Sequence, residues 1–149
     1  MQTYTSHSLD DTNRIAGEIL EKLVASMQHH RATVCALSGN LGAGKTALTK
    51  TLAHHLDISE TVISPTFVLA KFYQITNSRF PWKQLIHIDA YRLTSWQELA
   101  ILKFDEIFSD PRNLIMIEWP EQVADRDQKD WLKIRILQHG DDREIIFEE

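Results

Sequence analysis

The sequence predicts an α/β domain built on a mostly parallel, mixed central sheet. Three observations predict it. Short buried-type apolar runs alternate with stretches of helical periodicity along the chain. Two of those runs end in a carboxylate, Asp89 and Glu118. The last two strand-like segments flank Gly140-Asp141, a hairpin signature that adds antiparallel pairing to the sheet.

Taken in order, Ser8 with Asp11 has the spacing of a helix capping box. Apolar residues then recur at Ile15, Ile19, Leu20, Leu23, Val24 and Met27, which is a helix with one buried face. Thr33–Ser38 reads as a buried strand, and residues 45–56 as a helix entered from a glycine-rich turn. Residues 67–73 are rich in aromatic and aliphatic side chains and predict a strand. Asn77-Ser78 marks a turn, and Pro81 keeps the next stretch irregular. Residues 85–89 form a short strand. Ser95 with Glu98 is a second capping box, opening a helix through about residue 102. Residues 114–118 form another buried strand, and Pro120 breaks the regular structure beyond it. Residues 132–137 and 143–147 pair as the closing hairpin.

Composition is even from end to end, so the 149 residues are read as one domain, 1–149. Acidic residues outnumber basic ones by 21 to 16, a formal net charge of −5. Such a chain does not bind nucleic acid by bulk electrostatics, so any tRNA or other RNA contact is local or made through a partner. Cys35 is the only cysteine, which excludes an internal disulfide, and its apolar surroundings make it a small buried hydrophobe. No apolar run approaches the ~18 residues of a membrane span, and the N-terminal residues lack the pattern of a signal peptide. The expected location is the cytoplasm, with no membrane contact.

Gly39-Asn40-Leu41-Gly42-Ala43-Gly44-Lys45-Thr46 matches G-x-x-x-x-G-K-[ST] at every fixed position. Glycines let the backbone approach an anion closely, and successive N–H groups then point into one concavity. The helix after the loop adds its positive dipole end. Lys45 is placed to reach the β- and γ-phosphates of a nucleoside triphosphate, and the Thr46 hydroxyl to ligate Mg²⁺. A buried strand enters the loop and a helix leaves it, so the fold class sharpens to a three-layer P-loop NTPase-like fold.

In such sheets ligands sit beyond the carboxyl ends of the strands. Asp89 and Glu118 each close an apolar run at that end. A P-loop enzyme needs one acid to hold Mg²⁺ and another to orient water, and these two are the candidates. His87 points to the opposite face from Ile86 and Ile88, and reads as a packed, hydrogen-bonded strand residue. No His or Cys cluster has zinc-site spacing.

Four segments occur together and in order: the loop from Ser38 to Thr46, then Ser64-Pro65-Thr66-Phe67, then His87-Ile88-Asp89-Ala90-Tyr91-Arg92-Leu93, then Glu118-Trp119-Pro120-Glu121. Their order and spacing resemble the TsaE family, also called YjeE, across nearly the whole chain. These are small bacterial P-loop ATPases of tRNA threonylcarbamoyladenosine synthesis. The resemblance implies an ATP- and Mg²⁺-dependent subunit acting with TsaD and TsaB, weakly active alone, with tRNA met through the complex. It implies that Asn40, Leu41, Gly42, Ala43, Gly44 and Lys45 hold phosphate and that Thr46 and Glu118 hold the metal. Asp89 is a catalytic or metal-proximal acid, beside Glu118 and Lys45. Thr66 belongs to a switch-like segment, and Trp119 flanks the site. Thr12, expected in the stretch before the first helix, lies near the base. Asn40 stands where the family more often has Asp, and Ala47 where it often has a second hydroxyl residue. The stretch 76–84 is longer than usual.

Two other readings compete. A stand-alone small-molecule kinase normally needs an arginine-rich lid to clamp two phosphorylated substrates, and the basic residues here are scattered. A non-hydrolysing nucleotide sensor or GTP switch is the other. The absence of an Asn-Lys-x-Asp base-reading motif favours adenine over guanine.

Overall fold

The computed structural model describes residues 1–65 and 68–148. Seven strands form one sheet: β1 (Gln2–Ser6), β2 (Thr33–Ser38), β3 (Ala70–Gln74), β4 (Gln84–Asp89), β5 (Asn113–Glu118), β6 (Leu132–His139) and β7 (Asp142–Glu148). Their spatial order is β1-β7-β6-β2-β5-β4-β3. The four central strands β6, β2, β5 and β4 run parallel. β7 and β3 pair antiparallel at the flanks, and β1 adds antiparallel to β7. The sheet is therefore mixed with a parallel centre, as the alternation of elements and the terminal hairpin predict.

Period two along the strands builds the layers. Cys35 and Leu37, Leu85, and Leu114 and Met116 pack with Ile15, Leu20, Leu48 and Leu52 of the helices α1 (Leu9–Ala25) and α2 (Lys45–His55). Val34 and Ala36, Ile86 and Ile88, and Ile115 and Ile117 face the other way, onto Leu99, Phe104 and Trp131. That second face is covered by a 3-10 helix, Trp96–Leu102, and the short α3 (Phe104–Phe108). Burial raises the Cys35 thiol far above its ordinary value, so it behaves as an inert core residue. Among the described residues no helix is long and apolar enough to cross a membrane.

Several boundaries move. Ser8 caps α1 by accepting from the Asp11 N–H, but the Asp11 carboxylate bonds the His7 N–H, one residue upstream of a regular capping box. The Ser95/Glu98 box forms in full, yet it opens a 3-10 helix. The strand expected over 67–73 begins only at Ala70: Val68 and Leu69 form a turn with Leu69 at φ 64°, and Phe67 lies outside the described residues. β5 already ends at Glu118, before the left-handed Trp119, and the stretch that Pro120 is expected to keep irregular opens with a 3-10 helix, Pro120–Val123, because proline fits the first helical position. β1 escapes the sequence pattern because its five residues are mostly polar; backbone pairing with β7 makes it a strand. The long stretch 76–84 closes the end of the sheet remote from the phosphate loop. Trp82 is fully buried there and donates from Nε1 to Thr33 Oγ1 at 3.0 Å, at the start of β2.

Candidate functional site

The loop between β2 and α2 is shaped by close approach. A Cβ on Gly39 would lie 2.5 Å from the Ile136 carbonyl oxygen of β6, so only glycine fits. Gly44 caps α2 at φ 110°, a conformation other residues rarely take, and it brings no side chain to the cap. Ser8 accepts the Asp11 N–H and Ser95 the Gln97 N–H at the starts of their helices; α2 has no side-chain cap, and uncapped first-turn donors are what a helix N-terminus offers an anion. Ala43 is buried beneath the loop, while Leu41 stands out into solvent. The Asn40 carbonyl accepts the Ala43 N–H at 3.0 Å and tightens the turn.

Lys45 is held inside this loop. Its Nζ donates to the carbonyls of Gly39 at 2.7 Å and Asn40 at 3.0 Å. The same ammonium sits 4.1 Å from the centre of the Trp119 ring, a cation–π contact. Burial pushes its pKa below the ordinary lysine value, opposed by the charges of Glu118, Glu121 and Asp89. Trp119 comes directly after β5, with φ 58° and its N–H on the Leu37 carbonyl at 3.2 Å. A left-handed tryptophan costs roughly 1–3 kcal/mol and persists where surrounding structure over-determines it. The ring of Tyr91 packs on it with centroids 5.0 Å apart.

The acids converge as their strand ends require. Asp89 and Glu118 are register partners on β4 and β5, and Glu118 also pairs with Leu37 of β2. Thr46, the first-turn hydroxyl of α2, donates to Glu118 Oε1 at 2.8 Å. The carboxylate of Asp89 accepts the Tyr91 N–H at 3.0 Å. Lys45, Thr46, Asp89, Glu118 and Trp119 line one cleft of about 300 Å³. His87, fully buried and sharing their sheet face, bonds Glu118 Oε1 through Nε2 at 2.8 Å. Its reading as a packed, hydrogen-bonded residue is correct, but its partner is a site acid. Spacing carried that signal: His87, two residues before Asp89, lies in phase with it.

Thr12 needs a correction. It lies within the start of α1 and not in the stretch before it, because the Ser8 cap opens the helix at Leu9. Its hydroxyl pairs with Ser6 Oγ at 2.6 Å and with the Ser8 carbonyl at 3.1 Å. Thr12 lines a second, larger cleft of about 620 Å³ on the β6–β7 flank of the loop, beside Gly42, Gly44, Leu48 and Arg143. The structure therefore does not bring Thr12 to the acids; the phosphate loop lies between them. Arg143 and Asp141, from the closing hairpin, are lining residues that sequence reasoning missed. Thr66 lies outside the described residues.

A family model for "Threonylcarbamoyl adenosine biosynthesis protein TsaE" matches residues 6–145. The chain belongs to the TsaE family. It is 33% identical over 149 residues to the tRNA threonylcarbamoyladenosine biosynthesis protein TsaE of Mycobacterium tuberculosis, covering 95% of this chain and 83% of that one. The protein of the same name from Bacillus subtilis is 38% identical over 115 residues, 76% of this chain and 68% of its own. The crystal structure of B. subtilis YdiB superposes with a TM-score of 0.66 at 30% identity, covering 98% of this chain and 83% of that one. The TsaE fold and the family's place in tRNA threonylcarbamoyladenosine biosynthesis thus agree with the resemblance carried by the four ordered motifs.

Proposed function

We propose that this TsaE chain binds ATP with Mg²⁺ at the loop 39–46 and hydrolyses it as an accessory subunit of tRNA threonylcarbamoyladenosine synthesis, acting with TsaD and TsaB in the cytoplasm. The observation that carries the reading is the 2.8 Å contact between Thr46 and Glu118 at the foot of the phosphate loop. A hydroxyl from the first helical turn and a strand-end carboxylate form the paired oxygen ligands that suit Mg²⁺. Among the described residues no three His, Cys, Asp or Glu side chains gather into a metal cluster. That fits an ion taking its other ligands from phosphate and water. Bound there, Mg²⁺ would supply positive charge to the phosphate oxygens.

The remaining roles come from position. The loop N–H groups and the α2 terminus hold the β- and γ-phosphates. Lys45 exchanges its neutral carbonyl partners for phosphate oxygens, a stronger charge-assisted bond. Asp89, across the same cleft, orients the attacking water. Trp119 and Tyr91 form an aromatic wall that limits bulk water. Thr66 belongs to the family's switch-like segment. The larger cleft beside Thr12 takes the base and ribose. With a net charge of −5, the chain meets tRNA through its partners.

Phosphate release tests this directly. Turnover is expected to be weak for the chain alone and clearly stimulated by TsaD with TsaB. Transfer of phosphate to a nucleoside or nucleotide would favour the kinase reading. ATP binding without any phosphate release, even with both partners present, would favour the sensor.

A further inference from the structure

We infer that His87 is a positioning residue which fixes the carboxylate of Glu118 for a divalent cation at Thr46. This rests on the metal assignment under Proposed function. Three observations lead to it. β4 buries His87 completely between Ile86 and Ile88, at a position where an aliphatic side chain would pack without desolvating a polar ring. Nδ1 is buried with no hydrogen-bond partner among the described residues, so the imidazole is not held there by a satisfied core network. The bond from Nε2 to Glu118 Oε1, at 2.8 Å, goes to the acid that also accepts from Thr46.

The geometry makes this contact directional. An ionised carboxylate only accepts hydrogen bonds, so His87 donates to it from Nε2–H. Oε1 then receives two donors from two separate elements, Nε2–H from β4 and Oγ1–H from α2. Two donors at one oxygen set the carboxyl torsion, which a lone contact to a rotatable hydroxyl does not. His87 is opposite Met116 in the β4–β5 register, two residues before the Asp89–Glu118 pair, so the imidazole reaches up the sheet face to the acid. Partners that orient metal-ligating groups are worth roughly 10–100-fold in metal affinity.

The test measures binding of a non-hydrolysable ATP analogue across an Mg²⁺ titration, with Mn²⁺ occupancy by electron paramagnetic resonance as a second readout. His87→Phe keeps the ring shape and removes the donor. It is expected to raise the Mg²⁺ midpoint roughly 10–100-fold while leaving metal-free analogue affinity within about twofold. His87→Gln, whose amide N–H can replace Nε2–H, should recover most of the loss. A wild-type midpoint in His87→Phe overturns the proposal, as does a loss that His87→Gln does not recover. Glu118→Gln separates the metal site from the role of His87. If it shifts the midpoint and His87→Phe does not, only the role of His87 falls; if Glu118→Gln shifts nothing, the metal assignment falls and this inference with it. Should His87→Phe fail to fold, imidazole ¹⁵N resonances of the wild-type protein decide. An Nε2–H tautomer whose shift moves when Mg²⁺ joins the analogue complex supports the role. An Nδ1–H tautomer, or resonances indifferent to Mg²⁺, overturns it.

Discussion

Lys45 spends its ammonium on two loop carbonyls and the face of Trp119, all neutral partners. A partly dehydrated cation with neutral partners gains most when a phosphate replaces them. Lys45→Ala is therefore expected to keep the fold and lose the thermal stabilisation by ATP with Mg²⁺. In the wild type that stabilisation should approach about 2.7 kcal/mol at a hundredfold excess over Kd; an equal shift in both proteins would contradict the assignment. A second residue-scale effect lies at the edge of the larger cleft. His7 Nδ1 lies 2.9 Å from Asp142 Oδ1, and this hydrogen bond and the Asp142 charge raise the His7 pKa above 6.5. A raised pKa means the contact contributes its stability below pH 6.5 and loses it as pH rises through the folded value. Asp142→Asn should move the His7 midpoint, read by NMR, back down toward 6.5; an unmoved midpoint would show that another group sets it.

At the scale of elements, the helix starts divide by task. α1 and the 3-10 helix 96–102 begin with serine caps, which satisfy donors that would otherwise seek water. α2 begins with Gly44, which brings no side-chain cap to its first donors. Ser8→Ala should cost roughly 0.5–2 kcal/mol, measured as a lower urea midpoint at unchanged slope. No change would mean that the Asp11–His7 contact alone holds the start of α1. Elements with a strong period were legible in the sequence: the apolar stripe of α1, the buried runs of β2, β4 and β5, and the hairpin around Gly140. β1 and the 3-10 geometry were not, because one depends on a distant strand for pairing and the other on how the second sheet face packs.

For the whole molecule, the parallel strands β2, β4 and β5 bring Lys45, Thr46, Asp89 and Glu118 to one edge, although up to 73 positions separate them in the chain. The long 76–84 segment works at the other edge, where Trp82 seals the core. The edge that carries the loop 39–46 and the two strand-end acids also bears exposed apolar side chains, Leu41 and Tyr91. A pull-down with TsaD and TsaB, run with and without ATP, is expected to recover the chain in a nucleotide-dependent way. Failure in both conditions would leave an ATP-binding TsaE chain without the proposed partners.

The glycine-rich turn between β2 and α2, the two strand-end acids and the layered α/β order were all readable from the amino-acid order, because each rests on local spacing: a glycine pattern, an apolar run of fixed length, a helical period. The family was readable too, through four motifs in order. Which groups touch was settled by tertiary packing. It placed Thr12 across the loop from the acids, brought Trp119 against Lys45, and named Glu118 as the hydrogen-bond partner of the packed His87. Those contacts join residues far apart in the chain, and strand register and backbone torsion, not local propensity, bring them within bonding distance.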